Sequence, residues 1–309
     1  MSAMSRPLFN PDLRMARFLP RSVVSPRTLG LVRRLEGLSG SRPPSKGTIV
    51  RVDADVSVRV FRPASARNPA PALLWIHGGG YVSGTAAMGD SMCRHVAERL
   101  EVVAASVEYR RAPEHPFPTP LHDCHTALRW LAGQPDVDPA RIAIAGESAG
   151  GGLAAALALL ARERAEVKPV LQMLSYPMID DRTTARTDVD RRGLRIWSQE
   201  NNRFGWHAYL GPAATGEVPP LAAPARYEDL AGLPPAWIGV GTNDLFHDEN
   251  VAYAERLRQA GVPCTLHVVP GAYHSFDVIQ SKAAVSRAFM RHQVAALNDA
   301  LNGTGRTPA

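Results

Sequence analysis

The chain has 309 residues, 45% hydrophobic and 21% charged, which is enough to bury one large core or two small ones and excludes both a disulfide scaffold and wholesale disorder. Its formal charge of +6 is unevenly spread. Residues 1–46 hold eight Arg and Lys46 against Asp12 and Glu36, a surplus of seven, whereas the remainder carries 26 basic and 27 acidic residues.

Pro7, Pro11, Pro20, Pro26, Pro43 and Pro44 interrupt that basic segment, which predicts short helices docked on a larger body. A nucleic-acid arm, a membrane-surface helix and a transit peptide compete with a surface helix in an Arg-rich chain, where Arg outnumbers Lys 32 to 3. The segment matches no nucleic-acid motif, so it is read as a cap with arginines toward solvent and Leu8, Phe9, Leu13, Phe18 and Leu19 toward the mouth of a site. No apolar run reaches the roughly 18 residues of a membrane span. No apolar segment with a small-residue cleavage site follows the arginines either, so secretion is not expected. Cys93, Cys124 and Cys264 lack C-x-x-C spacing and fit a reducing, cytoplasmic setting without a zinc site.

Val50, Val52, Val56, Val58 and Val60 alternate as one half-buried strand. Apolar runs then predict strands at 72–76, 102–107, 141–145, 170–176, 237–241 and 265–269, and helical patterns fall over 119–133, 149–164, 248–260 and 281–300. Continuous apolar strands separated by helices imply βαβ units and a mostly parallel sheet covered on both faces. Residues 180–222, polar and then aromatic, interrupt the alternation as a helical insertion. Strand 265–269 is a candidate sheet edge, which is consistent both with a homodimer and with an edge covered by helix 281–300.

Ligands in such sheets bind beyond the carboxyl ends of the strands. After strand 72–76 comes His77-Gly78-Gly79-Gly80-Tyr81, whose amides can converge on one developing negative charge. After strand 141–145 comes Gly146-Glu147-Ser148-Ala149-Gly150, a sharp strand-to-helix turn that would expose the serine hydroxyl above the sheet. A serine needs a base, and His274, beyond strand 265–269, is favoured over His77, His122, His125, His267 and His292. The imidazolium that forms needs a buried carboxylate, assigned to Asp244. Asp248 and Glu249 read as the start of the next helix. Gly79, Gly80 and Ala149 would supply the oxyanion amides, with His77 orienting their loop. Glu147 is expected to point away and pair with a neighbouring helix or an arginine.

With these motifs the chain resembles the hormone-sensitive-lipase-like family of α/β-hydrolases. The run Tyr109-Arg110-Arg111-Ala112-Pro113-Glu114-His115-Pro116-Phe117-Pro118 is similar to that family's YRLAPEHPFP, with Arg111 where Leu is usual. Tyr176-Pro177-Met178-Ile179-Asp180-Asp181 resembles its strand-to-cap exit, and Trp206-His207-Ala208-Tyr209-Leu210-Gly211 the end of its cap. Glu147 replaces the usual Asp, Gly152 a common Asn, Leu245 a Pro and Ser275 a Gly.

The resemblance implies an α/β-hydrolase fold with about eight mostly parallel strands flanked by helices, under a helical cap. Residues 1–46 would form N-terminal cap helices, 47–180 and 223–302 the catalytic domain, 181–222 the cap insertion and 303–309 a disordered tail. The implied activity is a serine carboxylesterase acting on small, short-acyl esters through an acyl-enzyme, with no metal, organic cofactor, nucleic-acid partner or stable membrane insertion. Tyr81, Trp197, Phe204, Trp206 and Tyr209 are candidates for the pocket wall, and ordinary packing is the competing reading of each. Lactone, amide or acetyl-ester hydrolysis on the same triad, and a non-catalytic receptor, are the alternatives.

Overall fold

The apolar runs assemble into a single eight-stranded sheet in a computed structural model that describes residues 8–303. The first seven residues, with Arg6, and the tail 304–309 lie outside the described residues. β1 (Thr48–Arg51), β2 (Ser57–Phe61), β3 (Ala70–Ile76), β4 (Val103–Glu108), β5 (Val137–Glu147), β6 (Leu171–Ser175), β7 (Ala236–Asn243) and β8 (Cys264–Tyr273) lie in the order β1-β2-β4-β3-β5-β6-β7-β8. From β4 to β8 all neighbours are parallel, while β1 and β2 join antiparallel at one edge. The helices are α1 (Leu29–Gly40), α2 (Asp90–Leu100), α3 (Thr119–Ala132), α4 (Ala149–Arg164), α5 (Gln199–Leu210), α6 (His247–Gln259), α7 (Phe276–Ile279) and α8 (Ala284–Asn302).

The two-residue period of a strand divides the core between the faces of the sheet. Leu74 and Ile76 of β3 pack with residues of α3, α4 and α6, whereas Leu73 and Trp75 pack with residues of α2 and α8. α4 starts directly under the sheet's carboxyl edge and is buried from Ala149 to Ala161, as its Gly/Ala/Leu sequence requires.

The sequence reading needs three corrections. The alternating valines are not one strand but a hairpin, because the Asp53 carboxylate accepts the amides of Asp55 and Val56 at 2.8 Å and turns the chain so that Val50 pairs with Val58. α2 has no counterpart in the predicted elements. The short α7 has no counterpart either, whereas the helix expected over 281–300 is the single α8.

Residues 181–222 form a 3₁₀ turn at Asp181–Ala185, then α5, then a second turn at Gly211–Thr215. α5 starts where it does because Ser198 and Asn201 cap each other's backbone reciprocally. The N-terminal segment laces this insertion to the sheet. Asn10 N–H donates to Gly271 O at 3.0 Å, Asn243 Nδ2 to Leu8 O at 2.6 Å, Arg195 Nε to Ala16 O at 2.8 Å and Ile196 N–H to Pro20 O at 2.9 Å, while the Asn201 amide bonds Val24 O.

Leu13 is buried, Phe9 and Leu19 are half-buried, and Leu8 and Phe18 face solvent rather than a site. The arginines do not all face outward either. Arg33 donates to Val82 O at 2.6 Å, to Ala112 O at 2.5 Å and to Glu114, and Glu36 accepts the Gly84 amide at 2.9 Å. α1 therefore turns charged groups inward onto the glycine loop and leaves Leu31, Leu35 and Leu38 exposed.

Candidate active site

Three chain segments, each just past the carboxyl end of a strand, meet above the sheet. Ser148 stands between β5 and α4 at φ +54, a strained conformation that lifts its hydroxyl clear of the turn. His274 follows β8, and its Nε2 lies 2.9 Å from Ser148 Oγ. Asp244 follows β7, and its Oδ2 lies 2.7 Å from His274 Nδ1, while its Oδ1 accepts the Phe246 amide at 2.9 Å. The Asp244 carboxyl is fully buried, and Ser148 and His274 are 5% and 3% exposed. Phe246, Tyr176 and Trp197 set their rings 5.2, 4.9 and 6.3 Å from the imidazole, which restricts its rotation and excludes water.

The glycine loop leaves β3 beside this group. Gly79 and Gly80 have φ of +119° and +62°, a path that side chains resist. Their amides meet no acceptor among the described residues, while the Gly79 carbonyl is occupied by Val82 N–H, Ser83 N–H and the Ser83 hydroxyl. Ala149 is the first residue of α4, so its amide adds to the positive end of that helix. His77 lies within the loop, with Nδ1 2.7 Å from Gly78 O and its ring stacked on Tyr109 at 4.2 Å. Complete burial pushes its imidazole down to about 3, so it stays neutral and does not compete with His274.

The aromatic candidates separate into two groups. The Trp197 indole faces His274 and meets Gly80 so closely that a Cβ on that glycine would overlap its ring tip. Tyr81, Trp206 and Tyr209 instead form a buried stack behind the loop, with Tyr81 and Tyr209 rings 3.9 Å apart and the Tyr81 hydroxyl donating to Met178 O at 2.7 Å. Phe204 lies half-buried on the same helix.

Among the described residues Glu147 pairs with no arginine; its carboxyl faces the Tyr176 hydroxyl at 3.5 Å, with Asp277 of α7 beyond it. Asp248 and Glu249 stand in the first turn of α6 as expected, and Glu249 there accepts the amides of Ile179 and Asp180 and the Thr183 hydroxyl, fixing the exit from β6 into the insertion. Asp248 pairs with Arg186 and His247. Asp277 was not singled out by sequence, and no local pattern marks it.

Among the described residues no group of three or more His, Cys, Asp or Glu side chains is placed to hold a metal, and no helix is long and apolar enough to cross a membrane. Residues 73–278 match the family described as alpha/beta hydrolase fold. The chain is 33% identical over 273 residues to "Esterase LipI" of Mycobacterium tuberculosis, covering 84% of this chain and 78% of that one. It is 35% identical over 226 residues to "Ethyl acetate hydrolase" of Pseudomonas putida, covering 71% and 70%. Among solved structures, "Bacterial Heroin Esterase" superposes with a TM-score of 0.84 at 36% identity, covering 96% of this chain and 98% of that one.

Proposed function

The chain belongs to the alpha/beta hydrolase fold family, on its hormone-sensitive-lipase-like branch, and from that premise we propose that Ser148, His274 and Asp244 carry out its chemistry on small, short-acyl esters. The protein is a serine carboxylesterase. Ser148 Oγ attacks the ester carbonyl as His274 Nε2 takes its proton, and Asp244 holds the tautomer and stabilises the imidazolium. The carbonyl oxygen becomes an oxyanion held by the amides of Gly79, Gly80 and Ala149. The imidazolium then protonates the leaving alcohol. A water deprotonated by His274 releases the acid from the acyl-enzyme.

The observation that carries this reading is the continuous chain of 2.9 and 2.7 Å contacts from a strained serine through histidine to a buried carboxylate. Trp197, closing over Gly80, supports a short acyl side. Residues 181–222 together with residues 8–46 serve as the cap in this reading, and Trp197, Phe204, Trp206, Tyr209 and Tyr81 shape or back the pocket. A cytoplasmic location belongs to the same proposal, supported by three free cysteines. β8, the last strand of the sheet, is the proposed edge for a homodimer.

The test is covalent labelling by a fluorophosphonate together with hydrolysis of a chromogenic ester series of increasing acyl length. Native protein should label and favour short chains, and Ser148→Ala should do neither. Hydrolysis surviving in Ser148→Ala would overturn the assignment, and a preference for long chains would overturn the short-acyl part alone.

A further inference from the structure

Beside His274, three groups meet from three elements. Tyr176, the residue after β6, has φ +38 and is fully buried. Its hydroxyl lies 2.8 Å from Asp277 Oδ1 on α7 and 3.5 Å from Glu147 Oε2 at the end of β5, and its ring edge packs 4.9 Å from the His274 ring. Glu147 is buried; Asp277 is half-buried, with its carboxyl turned in onto the phenol.

One phenolic hydrogen cannot serve two carboxylates. At 2.8 Å it belongs to Asp277, and Glu147 gains from the phenol oxygen only if it carries a proton of its own to donate. The remaining surroundings supply backbone donors. Gly78 N–H from the glycine loop bonds Glu147 and the amides of Asp277 and Val278 bond Asp277, while from α8 Phe289 stacks on Tyr176 and Gln293 bonds Ser175. The other titratable groups facing the cluster are His274, Asp244 and the Tyr273 phenol, which lies near Asp277. No arginine or lysine forms an ion pair with either carboxyl among the described residues.

We propose that Glu147 and Asp277, joined through the Tyr176 hydroxyl, share one proton and act as positioning residues that set the negative charge beside His274. The inference rests on the Ser148–His274–Asp244 reading given above. Burial together with repulsion from Asp277 pushes Glu147 up to about 7, and burial pushes Asp277 up to about 6. The pair therefore holds one charge near neutrality and two above it, and each charge favours the imidazolium that forms as Ser148 loses its proton.

The experiment compares kcat/KM against pH on a short-chain chromogenic ester for native enzyme, Glu147→Gln, Asp277→Asn and the double variant. The acid limb should move to lower pH, most in the double variant, by about one pH unit. A uniform loss of activity with the limb unmoved would overturn the proposal, since a packing role alone predicts that. An infrared titration of the unmodified protein provides a second readout that holds even if a variant does not fold. It should reveal a protonated carboxyl at about pH 6 that ionises by about pH 8. Absence of any protonated carboxyl at about pH 6 would likewise overturn the proposal. Activity in Ser148→Ala would defeat the triad reading instead, and it would leave the infrared signal untouched.

Discussion

Trp197 lies against Gly80 at a separation that leaves no room for even a methyl group on the glycine, and the same indole closes over His274. One side chain thereby limits both the oxyanion loop and the space for the acyl group. Gly80→Ala must displace the indole or the loop, and it also forces a side chain into φ +62. We expect kcat to fall about 100-fold or more, the scale of losing an oxyanion donor. Trp197→Ala should do the opposite for size, raising kcat/KM for longer acyl chains relative to acetate. An ester series run on both variants checks this, and an unchanged chain-length profile in Trp197→Ala would separate the indole from acyl selection.

Gly152 stands where the resembling family commonly has Asn, and the surroundings explain why this chain cannot. A Cβ at Gly152 would overlap Met178 O and the Tyr81 hydroxyl, the two atoms joined by the 2.7 Å hydrogen bond behind the glycine loop. Gly152→Asn should therefore cost about 1–3 kcal/mol through overpacking, and more if the Tyr81 bond is lost. Chemical denaturation measures the loss. Adding Tyr81→Phe to Gly152→Asn should recover part of it by removing one of the two clashing atoms, and full additivity of the two changes would contradict that coupling.

The triad could be read from sequence because each member follows an apolar strand, and parallel sheets place all such loops at one end. Ser148, Asp244 and His274 thus needed only their order and the end of the sheet. Glu147, Tyr176 and Asp277 could not be read that way, since two acids and a phenol up to 130 positions apart carry no shared spacing. The inward turn of Arg33 was equally hidden: its composition marks it as a surface residue, and only the carbonyls of Val82 and Ala112 give it a reason to be elsewhere. The hairpin misread as one strand failed because both arms keep their valines on even positions across the Asp53 turn.

The raised carboxyls also bear on stability. Glu147 and Asp277 rise from ordinary values of 4.5 and 3.8 to about 7 and about 6. Between the ordinary and the raised value the folded chain keeps a proton that the unfolded chain has released. Their contribution is therefore greatest at the acid end of that window and declines as pH rises through about 7. Urea midpoints at about pH 5.5 and about pH 8 should fall in the native protein and fall less in Glu147→Gln, whose amide has nothing to ionise. Parallel changes in the two proteins would mean that Glu147 ionises freely in the fold.

The N-terminal strap ties together the two loops that carry the acid and the base. Asn10 bonds the 270–271 turn ahead of His274, Asn243 beside Asp244 bonds Leu8 O, and Arg195 reaches from the insertion to Ala16 O with its guanidinium 4.6 Å over the Phe9 ring. The arginine is buried near those carbonyls, so Arg195→Ala leaves Leu194 O and Arg192 O without their donor and Ala16 O with only the Leu19 N–H. We expect a loss of about 2–3 kcal/mol and a lower melting temperature from that variant. Removing residues 1–24 should go further, adding exposure of the surface now covered by Leu13 and Ala16 and loosening Trp197 through the freed Ile196 backbone. Acyl preference should then broaden while Ser148 still reacts with a fluorophosphonate, because none of the three triad contacts passes through the strap. A truncated protein with native melting temperature and native chain-length profile would show that the strap rests on these loops without holding them.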